Sequence, residues 1–157
     1  MSRHARVRSP SSKRPRGQAV TEFALVIPIL LVLFIGLFDL GRLVYGYNTI
    51  ANAARIGARV AVVNQHVATI QQTAAGFAIA LDVPASCSGS GGPGVCVAPA
   101  TPCGVASCME SVTVTFRFTP ITPLVSDVVG PVVLSSTSRM PVESVCADAG
   151  CPNPYAP

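Results

Sequence analysis

Positions 23–38, from Phe23 to Phe38, carry no charged and no hydrogen-bonding side chain. Around this run the pattern is helical, from Gln18 to about Val63. Its most apolar part, Phe23 to Val44, is 22 residues long. As a helix that is about 33 Å, enough to cross a hydrocarbon core of roughly 30 Å. Pro28 lies one or two turns in and is expected to loosen or kink the helix. A second helix is predicted over Gln65 to Leu81, where Val67, Ile70, Ala74, Phe77 and Leu81 fall on one stripe. Pro84 to Ser107 is dense in Gly, Pro, Ser and Cys and reads as a loop. The period then changes from helical to two. Over Glu110 to Thr119, Val112, Val114, Phe116 and Phe118 point one way, and Ser111, Thr113, Thr115 and Arg117 the other. That is a half-buried strand, ended by Pro120 and Pro123. A second strand, Val132 to Met140, is expected to pair with it antiparallel across about a dozen residues. The fold class predicted is α+β: a long N-terminal transmembrane helix running into a small exported domain, with a second helix and an antiparallel two- or three-strand sheet.

Charge sharpens the topology. Six of the eleven Lys/Arg residues (Arg3, Arg6, Arg8, Lys13, Arg14, Arg16) precede Gln18, and no acid accompanies them. Past Gly17 there are five basic against seven acidic residues, a net of −2. The formal +4 therefore belongs to the leader, and no nucleic-acid-binding body is expected. Basic residues directly before a spanning helix stay cytoplasmic. The chain is thus read as a single-pass protein of the cell membrane with its C-terminal part outside. Three regions follow: a basic leader, 1–17, expected to be disordered; a helix, 18–63; and an exported domain, 64–157, with a Cys-rich loop at 84–108 and a Pro-rich tail.

All six cysteines, Cys87, Cys96, Cys103, Cys108, Cys146 and Cys151, follow the apolar run. An even number confined to the exported part fits an oxidising compartment and up to three disulfides. Six cysteines allow 15 pairings, and spacing does not choose among them. The gaps lack the C-x2-C pairs of zinc sites, so no metal and no cofactor is expected.

The chemistry sits at the mouth of the helix. Arg16-Gly17-Gln18 is followed by Val20-Thr21-Glu22-Phe23-Ala24-Leu25, then Pro28, then Asp39-Leu40-Gly41-Arg42. A carboxylate at the start of a membrane run is costly enough to imply a specific task for Glu22. Asp39 and Arg42, three apart, can share a helix face at headgroup level. Ala53, Gly57 and Ala61 recur every four residues, flanked by Ala54 and Ala58, and such a row admits close approach of another backbone. Arg55 and Arg59 stand beside it. These residues resemble those of TadE-like proteins, minor pseudopilins of the tight-adherence (Flp) type IV pilus system. The strong likeness covers about residues 16–62, with a weaker one in the two late strands.

The resemblance implies cleavage by a prepilin peptidase between Gly17 and Gln18, where glycine leaves a protease groove unobstructed. The cut removes the six basic residues and leaves an α-amine on Gln18, where the wider pilin class carries a large apolar residue. Glu22 would pair with the α-amine of an adjacent subunit and specify stagger. Glu22, Pro28, Asp39 and Arg42 would serve helix assembly, and Ala53, Gly57 and Ala61 helix packing. The implied partners are the peptidase, other pilin or pseudopilin subunits, the membrane assembly platform and the bilayer.

Two other classes compete with this reading. A secreted or anchored surface-binding domain has Ala51-Asn52-Ala53 as a small-x-small cleavage site. That site lies beyond Asp39 and Arg42, however, and the apolar run exceeds the usual 7–15 residues of a signal core. An enzyme has little to work with. The histidines are His4 and His66 alone, and the Gly-Ser-Gly-Gly-Pro-Gly run at Gly89 to Gly94 lies between cysteines rather than between a strand and a helix.

Overall fold

The computed structural model describes residues 17–89, 91–99, 108–146 and 150–151, except the side chains of 124 and 128. Nearly all of the basic leader, most of the Pro-rich tail, and Cys103 lie outside the described residues. In order the elements are α1 (Gln18–Ala61), α2 (Val67–Phe77), β1 (Gly94–Ala98), β2 (Met109–Phe118), α3 (Pro123–Val129) and β3 (Val132–Pro141). The chain divides into two compact units, 1–35 and 36–157.

The described part of the first unit is the beginning of α1, helical throughout and unbroken at Pro28. Phe23, Leu25, Ile29, Leu33 and Phe34 are each more than three-fifths exposed, so among the described residues nothing covers these apolar side chains. Among the described residues α1 is long and apolar enough to cross a membrane.

In the second unit the sheet is antiparallel in the order β1-β2-β3. Val112 faces Val97 on one side and Ser138 on the other. The alternation of β2 places Val112, Val114 and Phe118 in the interior, with Phe116 half-buried. Val112, Val114 and Phe116 pack in one core with Ile50, Ala53, Ala54, Ala58 and Val60 of α1 and Ile70 and Ala74 of α2. The α+β architecture expected from the sequence is present, in its three-strand form.

Three local expectations are corrected. The Cys-rich stretch is not wholly loop. Val95-Cys96-Val97 forms β1, held by β2, by the disulfide Cys87–Cys96 and by Gln71 Nε2 donating to the Val95 carbonyl at 2.9 Å. The link between β2 and β3 contains α3, which begins on Pro123 and ends at Gly130 with φ of 69°, the usual Pro-first, Gly-last arrangement. Finally, α2 is shorter than predicted at both ends. Gln65 is diverted into a strap: its N–H donates to the Cys146 carbonyl at 2.7 Å, and its side-chain oxygen accepts from the Cys146 N–H at 2.6 Å. At the other end the helix closes at Phe77 with Ala78 as its cap, and Ala80, at φ of 61°, keeps it from resuming toward Leu81.

Candidate functional site

The helix mouth is the first part of the site. The Thr21 N–H donates to the Gly17 carbonyl at 3.2 Å, so α1's hydrogen bonding starts from Gly17 itself. The Thr21 hydroxyl donates to the Gln18 carbonyl at 2.8 Å, and the Gln18 side-chain amide donates to Glu22 Oε1 at 3.3 Å. Gln18 and Glu22 thus touch one helical turn apart, and both are exposed. Among the described residues nothing buries the Glu22 carboxylate, which leaves it open to an outside partner.

Asp39 is handled differently. Its side chain is buried, at 6% exposure. Oδ2 accepts from the Thr122 hydroxyl at 2.6 Å and the Thr122 N–H at 2.9 Å, and the Ile121 N–H is shared between the two oxygens at 3.1 Å. Arg42 Nη1 lies 3.5 Å from Oδ1, and its guanidinium stands 5.5 Å from the centre of the Phe118 ring. Sequence reasoning supplied the Asp39–Arg42 pair but not the turn it holds, since Thr122 is 83 residues away. Asp39 fastens the entry to α3 onto α1 with charge-assisted bonds. Replacing it with Asn removes the charge and one of the two acceptor oxygens. The expected result is amide exchange at Ile121 and Thr122 on the order of tenfold faster, with the β2 amides unchanged. Hydrogen-exchange mass spectrometry of the full chain measures it, and unchanged protection at the turn would refute the anchoring role.

The small-residue row is turned inward. Ala53, Gly57 and Ala61 are buried, and a Cβ on Gly57 would stand 2.9 Å from Val112 Cγ1 and 3.0 Å from Ala74 Cβ. The absent side chain lets β2 and α2 close on α1. Arg55 and Arg59 are exposed. At the end of α1, Gln65 also donates to the Ala61 and Ser144 carbonyls at 2.7 and 3.1 Å, beside the disulfide Cys146–Cys151. Cys108 is disulfide-bonded as well.

Glu110, one residue into β2, is fully buried, and neither carboxylate oxygen has a hydrogen-bond partner among the described residues. Burial pushes its carboxyl up to about 7. Sequence reasoning did not single it out, although the two-residue period puts it on the face of Val112 and Val114. Among the described residues no cluster of His, Cys, Asp or Glu has the make-up of a metal site.

No curated protein and no solved structure is matched by the chain. A family model does match, that of the TadE-like proteins, over residues 17–59. The matched segment opens on Gly17, contains Glu22, Asp39 and Gly57, and stops two residues short of the end of α1. Over residues 17–59 the chain is similar to the TadE-like proteins, and the likeness covers Gly17 and most of α1.

Proposed function

We propose that this chain is a minor pseudopilin: a pilus assembly subunit of a tight-adherence-type system, acting by packing rather than by catalysis. The observation that carries the reading is the coincidence of the TadE-like match with a helix whose first half is bare and apolar and whose second half is committed to the chain's own core. Such a helix offers sister molecules one surface, its membrane-spanning end.

The basic leader keeps the N-terminus at the inner leaflet, where anionic lipid attracts it. A prepilin peptidase cuts between Gly17 and Gln18. Because Gly17 carries the first hydrogen bond of α1, the scissile bond borders the helix, and one turn unwinds to enter the protease. The new α-amine of one subunit then meets Glu22 of its neighbour, and two charges in lipid neutralise each other. Pairing of this kind fixes register more than it adds net affinity. Partners are accordingly other pilin-like subunits, the peptidase and the membrane platform that extracts them, and the folded unit lies outside the cytoplasm.

Signal-peptidase cleavage after Ala53 would sever α1 between two fully buried residues, Ala53 and Ala54, and would take Ile50 and Ala53 out of the core. The mature N-terminus, read by mass spectrometry from cells with and without a prepilin peptidase, tests the reading. The expected result is Gln18 with the enzyme and an intact leader without it. A terminus at Ala54, or an uncut leader in both strains, overturns it.

A further inference from the structure

We propose that Ile121 and the adjoining α3 are seated in the headgroup region of the leaflet at the C-terminal end of the span, so that the folded unit is docked on lipid as well as tethered to it. This rests on α1 crossing a bilayer and not on the pilus reading.

Length fixes the level. About 20 helical residues cross a hydrocarbon core. Counted from Gln18 they end at Leu37; counted from Phe23, the first residue past Glu22, they end at Arg42. Either count brings the boundary to the stretch Leu37–Arg42. This is the stretch on which the turn at Ile121–Thr122 is fastened, through Asp39. The turn is therefore at the depth of the headgroups, beside Asp39.

The surface at that level is suited to lipid. Ile121 is 62% exposed and Val129 is 60% exposed, on the same unit as exposed Leu37, Phe38 and Leu40. An apolar cleft of about 190 Å³ opens at Leu40 and Val129, lined further by Leu43, Phe118, Val125 and Val132. In water these groups gain nothing by their exposure. In the interface, apolar side chains at this depth contribute to binding in proportion to their buried area. The charges agree with the placement. Asp39 would be costly if bare at this depth, but four hydrogen bonds from the turn enclose it. Arg42, about two-fifths exposed, extends beside it toward lipid phosphates. Asp127, the acid of α3, is exposed and free to stay hydrated.

The chain has no tryptophan, so single-tryptophan variants report position without background. The full chain is placed in phosphatidylcholine–phosphatidylglycerol vesicles, with a portion of the lipid brominated either near the headgroup or near the acyl terminus. Four sites are compared: Ile121→Trp and Val129→Trp at the proposed contact, Leu30→Trp in the span, and Val145→Trp as the distant control. Val145 follows Glu143 and Ser144, whose N–H groups donate to the Val62 carbonyl, about 30 Å along α1 from Arg42. The expected emission of Ile121→Trp and Val129→Trp is blue-shifted and quenched roughly twofold by the headgroup-proximal bromines, while Val145→Trp is untouched. Quenching at Leu30→Trp without quenching at Ile121→Trp overturns the docking and leaves the span standing. No quenching at Leu30→Trp overturns both. A blue shift at Ile121→Trp that grows with protein-to-lipid ratio, without bromine quenching, assigns the surface to a second copy and overturns the lipid contact.

Discussion

Glu22→Gln subunits are expected to insert and to be cut after Gly17 as well as wild type, yet to enter the filament on the order of a hundredfold less often. The amide keeps the shape of the carboxylate and can still accept from Gln18, so the isolated helix loses nothing. It also lowers the cost of crossing the membrane, because a charge has been removed. The penalty falls at assembly. A freshly cut α-amine that enters a lipid-buried bundle without its counter-charge costs about 3 kcal/mol or more, and each 1.4 kcal/mol is about tenfold in occupancy. The measurement is the ratio of subunit in sheared surface filaments to subunit in the membrane, with the mature terminus checked in the same samples. Glu22→Asp, which keeps the charge on a shorter arm, should recover part of the loss. Equal incorporation of Glu22→Gln and wild type would remove the carboxylate from the assembly mechanism.

This prediction comes from the part of the chain most legible in sequence. A run free of polar side chains, a basic leader and one acid at the boundary are local signals, and α1 begins at Gln18 as the pattern requires. The strand β2 is equally plain, because the eight residues Ser111 to Phe118 alternate strictly and admit no helical reading. What failed was short or distant. β1 is five residues within a segment rich in glycine and cysteine, and it exists because β2 and the disulfide to Cys87 hold it. No local pattern of that length outweighs its turn-forming neighbours. α3 is only seven residues long, though Pro123 and Gly130 bracket it in the order that marks a helix.

Asp39 illustrates the limit on sites. The sequence offered Arg42, three residues on, as its partner, whereas the shorter contacts come from Thr122 across the fold. Periodicity places a residue on a face but does not say which loop returns to it. Gly57 is the converse case. Its spacing with Ala53 and Ala61 announced close approach before any partner was known, and the partners are Val112 and Ala74. Glu110 was within reach of the same reasoning, since position 110 has the parity of 112 and 114. A glutamate at a strand end reads as solvated until the strand is seen to be covered there.

That buried carboxyl gives the second large effect. The chain should lose about 2 to 3 kcal/mol of stability as pH rises from about 4.5 to about 7, and Glu110→Leu should abolish this loss. Below about 4.5 the group is protonated folded or unfolded and contributes no slope. Between the two values the unfolded chain has shed the proton while the folded chain retains it. Each step upward in pH then favours unfolding. Above about 7 both states are ionised, and the folded one holds a charge whose two oxygens accept no hydrogen bond from the described residues. Leucine fills similar volume without that penalty, so the variant should be the more stable protein at neutral pH and no better than wild type in acid. Glu110→Gln should also flatten the profile but gain less, because a buried amide without partners has its own desolvation cost. Denaturant titrations of detergent-solubilised full-length chain from about pH 4 to about pH 8 give the curves, and subtracting variant from wild type isolates one carboxyl from every other titrating group. If the difference between wild type and Glu110→Leu does not change with pH, the carboxyl is solvated or paired in solution, and the end of β2 where it sits is not closed over as described.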